Sequence, residues 1–334
     1  MKQIRFIWIV LATLFLSACV QIKPGDGYYH NENNAVLRSL SGIQNITGEI
    51  YITPGNFQPY YDSLAGAKNG LKIQVYEFTE KRIRNLIINL LKKGTDIKII
   101  IEDKKFQQYR NTYKDLINLF TGYKNIAVKS DKQMGTEYIH SKVDLLDNSF
   151  WIKTNNITAS AFESSREYMF HSYNLGVKES LDIIFDKDWS GDKIETTDIH
   201  PNLIICNINC RAIIEDMLNN AKESIYIQTQ YITDFGVFEI LKNKSNLSGF
   251  QIIVADTDDN DDLLSYFGPA KVKKLKKPYV HAKMILIDNK YLILGSMNLS
   301  QYSLDKNREI GIVLIDQSLI DQFKKQFDRD WKNQ

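Results

Sequence analysis

An eight-residue pattern, His-x-Lys-x-x-x-x-Asp, occurs twice in this chain of 334 residues. The residues that form the two copies are His140, Lys142 and Asp147 in the first and His281, Lys283 and Asp288 in the second. A single copy of so short a pattern says little about function. Two copies in register with a longer repeat are much more specific, because they predict a chain that folds as two similar units.

The longer repeat extends on both sides of the patterns. Upstream, residues 67–76 match residues 221–230 at an offset of 154, and both runs have the composition of strands. The offset is 141 at the patterns and 142 beyond them, where residues 185–189 match residues 327–331. Strands followed by helices, twice over, predict two α/β halves whose sheets are covered by helices. We place these halves at residues 46–192 and 200–334, on either side of a short polar stretch.

The first residues have the composition of an export signal. Lys2 and Arg5 precede an apolar run at residues 6–16, which is too short to cross a bilayer as a helix of the mature protein. The tetrapeptide that ends at Cys19 resembles the bacterial lipobox, at which the cysteine is lipidated and the leader is removed. We therefore expect residues 1–18 to be a lipoprotein signal peptide, with an ordinary signal peptide as the alternative.

Residues 19–45 are polar and are predicted to form a tether between the lipid on Cys19 and the globular body. Such a protein would be anchored to a phospholipid membrane in the bacterial cell envelope. Val20 follows the cysteine in place of an aspartate, which favours the outer membrane, facing the periplasm, in a cell that has two membranes.

The charge of the mature chain is balanced. The formal net charge is +2, and the leader accounts for two basic residues and no acidic one, so that 40 acidic residues face an equal number of basic ones. A protein without net charge has no general field to attract nucleic acid. The balance counts against a dedicated nonspecific DNA-binding protein, although it leaves room for a local basic patch.

Cys206 and Cys210 are the cysteines beyond Cys19. An exported chain meets an oxidising compartment, in which a disulfide can form. Positions i and i+4 of a regular helix hold their Cβ atoms too far apart for this bond, so it requires Cys206 to lie in the loop before a helix. A disulfide and two buried free thiols both remain open at this point.

In each pattern the histidine and the lysine are two residues apart on a predicted strand, so their side chains emerge on the same face. Two imidazoles and two ammonium groups suit a site that attacks and holds a phosphodiester. Asp147 and Asp288 lie five residues beyond the lysines, on the opposite face and before a turn. We expect these two aspartates to have a structural role, in the turn or in an ion pair.

Both copies also keep further polar residues in register. Thr154, Asn156 and Glu167 follow the first pattern, and Ser296, Asn298 and Glu309 follow the second. Together with the two patterns, these residues resemble the phospholipase D superfamily over nearly all of the chain beyond residue 45. The resemblance implies two α/β halves, each a mixed sheet flanked by helices, related by a pseudo-twofold axis with one site between them. It implies a monomer and requires no metal or cofactor.

The resemblance also implies roles for the site residues. One histidine attacks phosphorus and becomes a phosphohistidine, while the other protonates the leaving alcohol and then activates water. By analogy we take His140 as the nucleophile and His281 as the acid, an order that the sequence alone does not decide. Glu167 and Glu309 are expected to hydrogen-bond the far ring nitrogens and fix the tautomers. The expected phosphate-binding residues, beside the two lysines, are Thr154, Asn156, Ser296 and Asn298.

The first copy departs from the Gly-Ser turn of the family. Lys153 precedes Thr154 there, whereas Gly295 precedes Ser296 in the second copy. The departure makes Lys153 a candidate for an extra cation of the phosphate pocket. The alternative is a first half that keeps the pattern and serves only as structure.

Four functions are compatible with these features. The first hypothesis is a phosphodiesterase of the phospholipase D kind that hydrolyses or transfers phospholipid headgroups, because a lipid-tethered enzyme works beside phospholipid. The second is a metal-independent envelope nuclease, favoured by the lysine-rich residues 271–277 and by the turn at residues 295–300, which resembles nuclease members. A cardiolipin synthase ranks third, since the sequence shows no pair of transmembrane segments. An inactive binding module is the alternative from another class, and the complete set of His, Lys and Glu argues against it.

Overall fold

The computed structural model of the protein describes residues 42–104, 118, 120–131 and 138–333. The expected signal peptide, the lipidation site at Cys19 and most of the tether lie outside the described residues. Among the described residues, no helix has both the length and the apolar character that crossing a bilayer requires.

The first half alternates strands and helices. Its elements are β1 Glu49–Thr53, α1 Phe57–Ala65, β2 Gly70–Val75, α2 Lys81–Lys92, β3 Asp96–Ile101, β4 Ile126–Ser130, β5 Val143–Leu145, β6 Phe150–Lys153, α3 Ala159–Glu163, β7 Ser165–Ser172 and α4 Leu175–Ser190. A 3₁₀ turn at Thr196–Asp198 leads into the second half.

The second half repeats this plan. Its elements are β8 Leu203–Ile205, α5 Cys210–Asn220, β9 Ser224–Thr229, α6 Phe235–Lys244, β10 Gly249–Ala255, a 3₁₀ turn Asp258–Asn260, α7 Asp261–Phe267, β11 Val272–Leu275, β12 Tyr279–Val280, β13 Lys283–Ile287, β14 Tyr291–Gly295, α8 Gln301–Asp305, β15 Ile310–Leu314 and α9 Gln317–Lys332.

The two sheets have the same strand order. The first is β1-β7-β6-β5-β2-β3-β4, and the second, read in the same sense, is β8-β15-β14-β13-β9-β10-β11. In each sheet the last three strands of this order are parallel, and the other pairings between neighbours in the order are antiparallel. The prediction of two α/β halves, each with a mixed sheet flanked by helices, is confirmed.

The two halves exchange main-chain contacts reciprocally. Strand β12 of the second half pairs with β7 of the first, with Val280 opposite Arg166. In the other direction, Ile139 of the first half forms a bridge with Arg308 of the second. Each half therefore makes the same kind of contact with the other. Such reciprocity is typical of a twofold axis, which here relates two similar parts of one chain.

The hydrophobic residues form three clusters. The outer cluster of the first half packs α2 against its sheet, and that helix turns its apolar residues to one side because they recur every three or four positions. The second half has its own outer cluster. The central cluster joins strands of both sheets to α4 and α9, as shown by Leu181 and Phe323 beside Leu145 and Leu286. A shared central core holds the sheet edges that carry the two patterns close together.

Candidate active site

Both patterns begin just before a short strand in the middle of a sheet. His140 precedes β5 and His281 precedes β13, and these strands run antiparallel to β2 and β9. The histidines therefore lie at the edge where the parallel strands of each sheet end. Lys142 donates a hydrogen bond to the carbonyl oxygen of His140 at 2.5 Å, and Lys283 donates one to the carbonyl oxygen of His281. The ammonium groups are thus held beside the imidazoles.

Each histidine is paired with the glutamate of the other half. His140 Nδ1 lies 2.8 Å and 2.9 Å from the two carboxylate oxygens of Glu309. His281 Nδ1 lies 2.6 Å from Glu167 Oε1. Because a carboxylate accepts, each ring donates from Nδ1, and this tautomer leaves the lone pair on Nε2 for a substrate. The sequence predicted that the glutamates would hold the histidines, but it did not predict that they would do so across the halves.

Main-chain bonds reinforce this crossing. The amide of His140 donates to the carbonyl oxygen of Arg308 at 3.0 Å, and the amide of His281 donates to that of Arg166 at 3.2 Å. The two patterns therefore meet in one place and do not form a separate pocket in each half. The side chains of His140 and His281 remain 14% and 17% exposed, so the place is open to solvent on one side.

The imidazoles are held neutral. Burial lowers the pKa of His140 to about 4, and the charges of Lys142 and Lys283 add to this effect, while Glu309 opposes it. Burial likewise lowers the pKa of His281, with Glu167 opposing. A neutral imidazole keeps the free electron pair that a nucleophile or a general base requires.

The lysines also lose basicity. Burial lowers the pKa of Lys142 to about 7, helped by the charge of Lys283, and burial lowers the pKa of Lys283 to about 8. Glu167 and Glu309 act on both lysines in the opposite direction. A bound phosphate anion would raise both pKa values again, so the site gains positive charge when such a ligand enters.

The hydroxyls of Thr154 and Ser296 lie behind the glutamates. Thr154 Oγ1 donates to Glu167 Oε2 at 2.6 Å, and the Ser296 hydroxyl lies beside Glu309 and helps to lower the pKa of that carboxyl. Both residues are fully buried. These contacts differ from the expected phosphate-binding role, because the hydroxyls are used to hold the carboxylates that hold the histidines.

The two asparagines differ in their surroundings. Asn298 is buried, and its side-chain amide donates to the Tyr231 hydroxyl at 3.1 Å. Its main-chain amide donates to Ser303 Oγ, and that hydroxyl in turn donates to Glu309. Asn156 is half-buried, at the equivalent place after β6. The side-chain carbonyl oxygens of Asn156 and Asn298 are buried without a hydrogen-bond partner.

Asp147 and Asp288 are placed away from the histidines. Asp147 accepts hydrogen bonds from the main-chain amides of residues 68–70, at 2.8–3.0 Å. Asp288 accepts from the amides of residues 222–224, at 2.8–3.1 Å. The aspartate of each pattern therefore fastens the turn that precedes β2 or β9, which is a structural role.

Three further sequence features have partners of their own. Cys206 and Cys210 form a disulfide, with Cys206 just before α5. Lys153 is fully buried within the first half, where its ammonium bonds Asp144 and the Tyr60 hydroxyl, so this candidate cation is neutralised in the core. In the lysine-rich stretch, two ammonium groups have partners: Lys273 bonds the Trp331 carbonyl and Lys274 bonds Asp261.

The sequence did not single out Tyr76, Tyr231 or Ser303. The ring of Tyr76 stands edge-on to His140 with 4.9 Å between centroids, whereas the equivalent position in the repeat is Gln230. The sequence could have indicated Tyr76 as a site residue, because it stands at the end of the repeated run at residues 67–76. Tyr231 and Ser303 gave none, because their contacts depend on how the loops after β9 and β14 fold.

The family follows from comparison with known proteins. The family described as "Cardiolipin synthase, PLD-like domain" matches residues 60–189 and 214–331, which is most of the chain and one match in each half. The chain belongs to the phospholipase D superfamily.

Two relatives extend this comparison. Cardiolipin synthase 1 of Bacillus anthracis is 30% identical over 129 residues, which cover 35% of this chain and 25% of that protein. The cardiolipin synthase of Oceanobacillus iheyensis is 21% identical over 364 residues, which cover 91% of this chain and 71% of that protein. The match thus spans a quarter of the Bacillus protein and about seven tenths of the Oceanobacillus protein.

Solved structures share the fold. Phosphatidylserine synthase of Haemophilus influenzae Rd KW20 superposes with a TM-score of 0.66 at 13% identity and covers 90% of both chains. Polyphosphate kinase from Porphyromonas gingivalis superposes with a TM-score of 0.62 at 11% identity and covers 84% of this chain and 50% of the kinase. At these identities the likeness shows the fold alone.

Proposed function

We propose that this protein processes phospholipids, exchanging the alcohol of a headgroup phosphodiester through a phosphohistidine intermediate. The observation that carries the proposal is the pairing of each histidine with the glutamate of the other half, since it gives one site two imidazoles with the same free nitrogen. The cardiolipin synthase relatives support phospholipid as the substrate class. These relatives favour a cardiolipin synthase more strongly than the sequence did, which ranked that function third.

The chemistry takes two steps. In the first, Nε2 of His140 attacks phosphorus, the bond from phosphorus to the headgroup oxygen breaks, and His281 gives that oxygen a proton. In the second, His281 takes a proton from an incoming alcohol or water, whose oxygen displaces His140 from phosphorus. His281 must be cationic when the substrate is bound, and the phosphodiester anion favours this by raising its pKa.

The other polar groups of the site have supporting roles in this scheme. Lys142 and Lys283 hold the non-bridging oxygens as negative charge builds on them. Asn156 and Asn298 bind the same oxygens, while Thr154 and Ser296 keep Glu167 and Glu309 in place. A lipid anchor at Cys19 would hold this site beside bacterial membrane phospholipid.

The test is incubation of the purified protein with phosphatidylglycerol vesicles in EDTA, with the lipid products analysed by mass spectrometry. Transfer to a second lipid yields cardiolipin and glycerol, and transfer to water yields phosphatidic acid and glycerol. Either product pair supports the proposal. Single- and double-stranded DNA are incubated in parallel. Cleavage of DNA without lipid turnover would overturn the proposal in favour of a nuclease, and a folded protein inactive on both would favour a binding module.

His140→Ala and His281→Ala are each expected to abolish lipid turnover, and the double variant should be no worse than either single one, because the two histidines act as a unit. His200→Ala is a matched control, since His200 lies in the link between the halves. Near-normal turnover by either site variant would contradict the two-histidine mechanism.

A further inference from the structure

Each half ends in a helix that carries the same five-residue phrase, Phe-Asp-x-Asp-Trp, at residues 185–189 and 327–331. The second aspartate of each phrase, Asp188 in α4 and Asp330 in α9, is 4% exposed. A buried carboxylate is costly unless it is paired and hydrogen-bonded. None of the chemistry described above uses these two aspartates.

Both aspartates find their cationic partner in the opposite half. Asp330 accepts two bonds from Arg166 of the first half, from Nε at 2.7 Å and from Nη2 at 2.8 Å. Asp188 accepts from Arg308 Nε of the second half at 3.1 Å. The two arginines are 8% and 6% exposed, so the ion pairs lie inside the molecule. Both ion pairs therefore span the two halves.

A glutamine at equivalent positions of β2 and β9 completes each arrangement. Gln74 donates to Asp188 at 3.0 Å and Gln228 donates to Asp330 at 2.8 Å, each within its own half. The glutamine thus orients the aspartate from its own sheet, and the aspartate receives the arginine from the other half. The same three residue types recur in the same contacts on both sides of the pseudo-twofold.

The arginines are joined directly to the groups that hold the histidines. Glu167 follows Arg166, and Glu309 follows Arg308. Arg166 also gives its carbonyl oxygen to the amide of His281, as Arg308 does for His140. Each Arg-Glu pair therefore supplies both the main-chain carbonyl and the side-chain carboxylate that position the histidine of the opposite half.

We propose that Arg166 and Arg308 are positioning residues, and that the Arg166–Asp330 and Arg308–Asp188 pairs set where His281 and His140 stand relative to each other. Each pair ties one strand end to the final helix of the other half, so each governs one histidine: Asp330 governs His281, and Asp188 governs His140. Reacting groups that are misplaced by about 1 Å can lose roughly 100-fold in rate, so a small shift at either pair is costly.

The first readout is independent of any substrate. In the full-length protein labelled with ¹⁵N-histidine, the Nδ1 protons bonded to Glu167 and Glu309 give separate downfield NMR signals. Asp330→Asn keeps the shape of the side chain and removes its charge, and it is expected to shift or broaden the His281 signal alone. Asp188→Asn is expected to do the same to the His140 signal alone. If the aspartates only stabilised the fold, each variant would not change the signal of one histidine and leave that of the other unchanged.

Asp234→Asn is the matched control. Asp234 is buried and paired with Arg211 at 2.7 Å, but both residues belong to the second half. This variant is expected to leave both histidine signals in place. If it moves them as Asp330→Asn does, or if Asp330→Asn and Asp188→Asn leave both signals unchanged, the positioning role is overturned. Should an asparagine variant fail to fold, Arg166→Lys, which keeps the charge and loses the two-pronged contact, takes its place with the same expectation for His281.

The second readout is kinetic and rests on the proposed function. Asp330→Asn and Asp188→Asn are each expected to lower kcat about 10- to 100-fold with little change in KM, because substrate contacts stay and alignment is lost. Unchanged kcat in a variant whose histidine signal has moved would overturn the link between position and rate. If the wild-type protein turns over no phospholipid, the proposed function fails while the NMR result still decides the positioning role.

Discussion

The carboxylate of Glu309 decides which nitrogen of His140 carries the proton. It is fully buried, and burial alone would raise its pKa, but His140 and Lys142 outweigh that effect and the pKa is lowered. The glutamate is therefore ionised at neutral pH and holds Nδ1–H, which leaves Nε2 unprotonated and turned to substrate.

Glu309→Gln tests this role at the scale of one residue. We expect kcat to fall by up to about 10,000-fold, because the amide no longer fixes the tautomer of the catalytic histidine. The pKa of His140 should fall further, because Glu309 is the group that raises it. Kinetics and ¹⁵N NMR titration measure the two effects. Glu163→Gln, at an exposed glutamate paired with Arg82, is the control, and equal activity of both variants would contradict the assignment.

Glu102, which lies next to the site, makes the stability of the fold depend on pH. It is fully buried and accepts the amide of Ile139, the residue before His140, at 2.9 Å. Burial raises its pKa to about 7, and the neighbouring carboxyl of Asp131 adds to the rise. The folded protein therefore holds a proton on Glu102 at pH values where the unfolded chain has released it.

The sign of the effect follows from linkage. A carboxyl with a raised folded pKa contributes its full stability below the unfolded value near 4.5, and that contribution is lost as the pH rises through about 7. Glu102→Gln removes this loss. In urea unfolding, the free energy of unfolding of the variant relative to the wild type should rise by about 2 kcal/mol from pH 5 to pH 8. A difference between the two proteins that does not change with pH would contradict the raised pKa.

At the scale of elements, Asp147 and Asp288 fasten equivalent turns, but only Asp288 also sits in the left-handed region, with φ 52°. Asp147→Ala should cost about 1–2 kcal/mol through its lost hydrogen bonds. Asp288→Ala should cost roughly 1 kcal/mol more, since alanine is strained there, and Asp288→Asn should recover most of that extra cost because asparagine tolerates a positive φ. Urea unfolding checks all three, and equal costs for the two alanine variants would contradict the account.

Much of the element structure could be predicted from the repeat. The runs at residues 67–76 and 221–230 contain β2 and β9, and the patterns lead into β5 and β13. The pairing of β12 with the other sheet could not be predicted, because a two-residue strand has no periodicity and its partner is set by how the halves meet. The same holds for the crossing of the glutamates: spacing shows that they recur, but not which histidine each one contacts.

Lys153 shows how the same limit applies within one half. Its place beside the phosphate-binding turn suggested a role toward substrate, yet its partner Asp144 lies on β5 and Tyr60 lies on α1. The second half has apolar residues at those equivalent positions, Ile285 and Ile214. Three positions distant in sequence, Tyr60, Asp144 and Lys153, therefore make this buried corner polar in the first half, and only the packed structure brings them together.

At the scale of the whole molecule, charge balance at the site favours one anionic ligand. With both histidines neutral, the site holds at most two ammonium groups against two glutamates, so the charge of a phosphodiester anion is matched by protons that the lysines and one imidazole take up when it binds. That balance requires the two patterns to form one site. If each half bound its own phosphate, the two histidines would have no reason to be held by the glutamates of the opposite half.

A crystal structure with vanadate bound tests most directly whether the two patterns form one site. Vanadate adopts the five-coordinate geometry that phosphorus has during phosphoryl transfer. We predict a single vanadium atom at the site, bonded to Nε2 of His140, with Nε2 of His281 on the opposite side and within hydrogen-bond reach of the apical oxygen. Two vanadate ions, each bound by one histidine in a separate pocket, would contradict a shared site and with it the proposed mechanism.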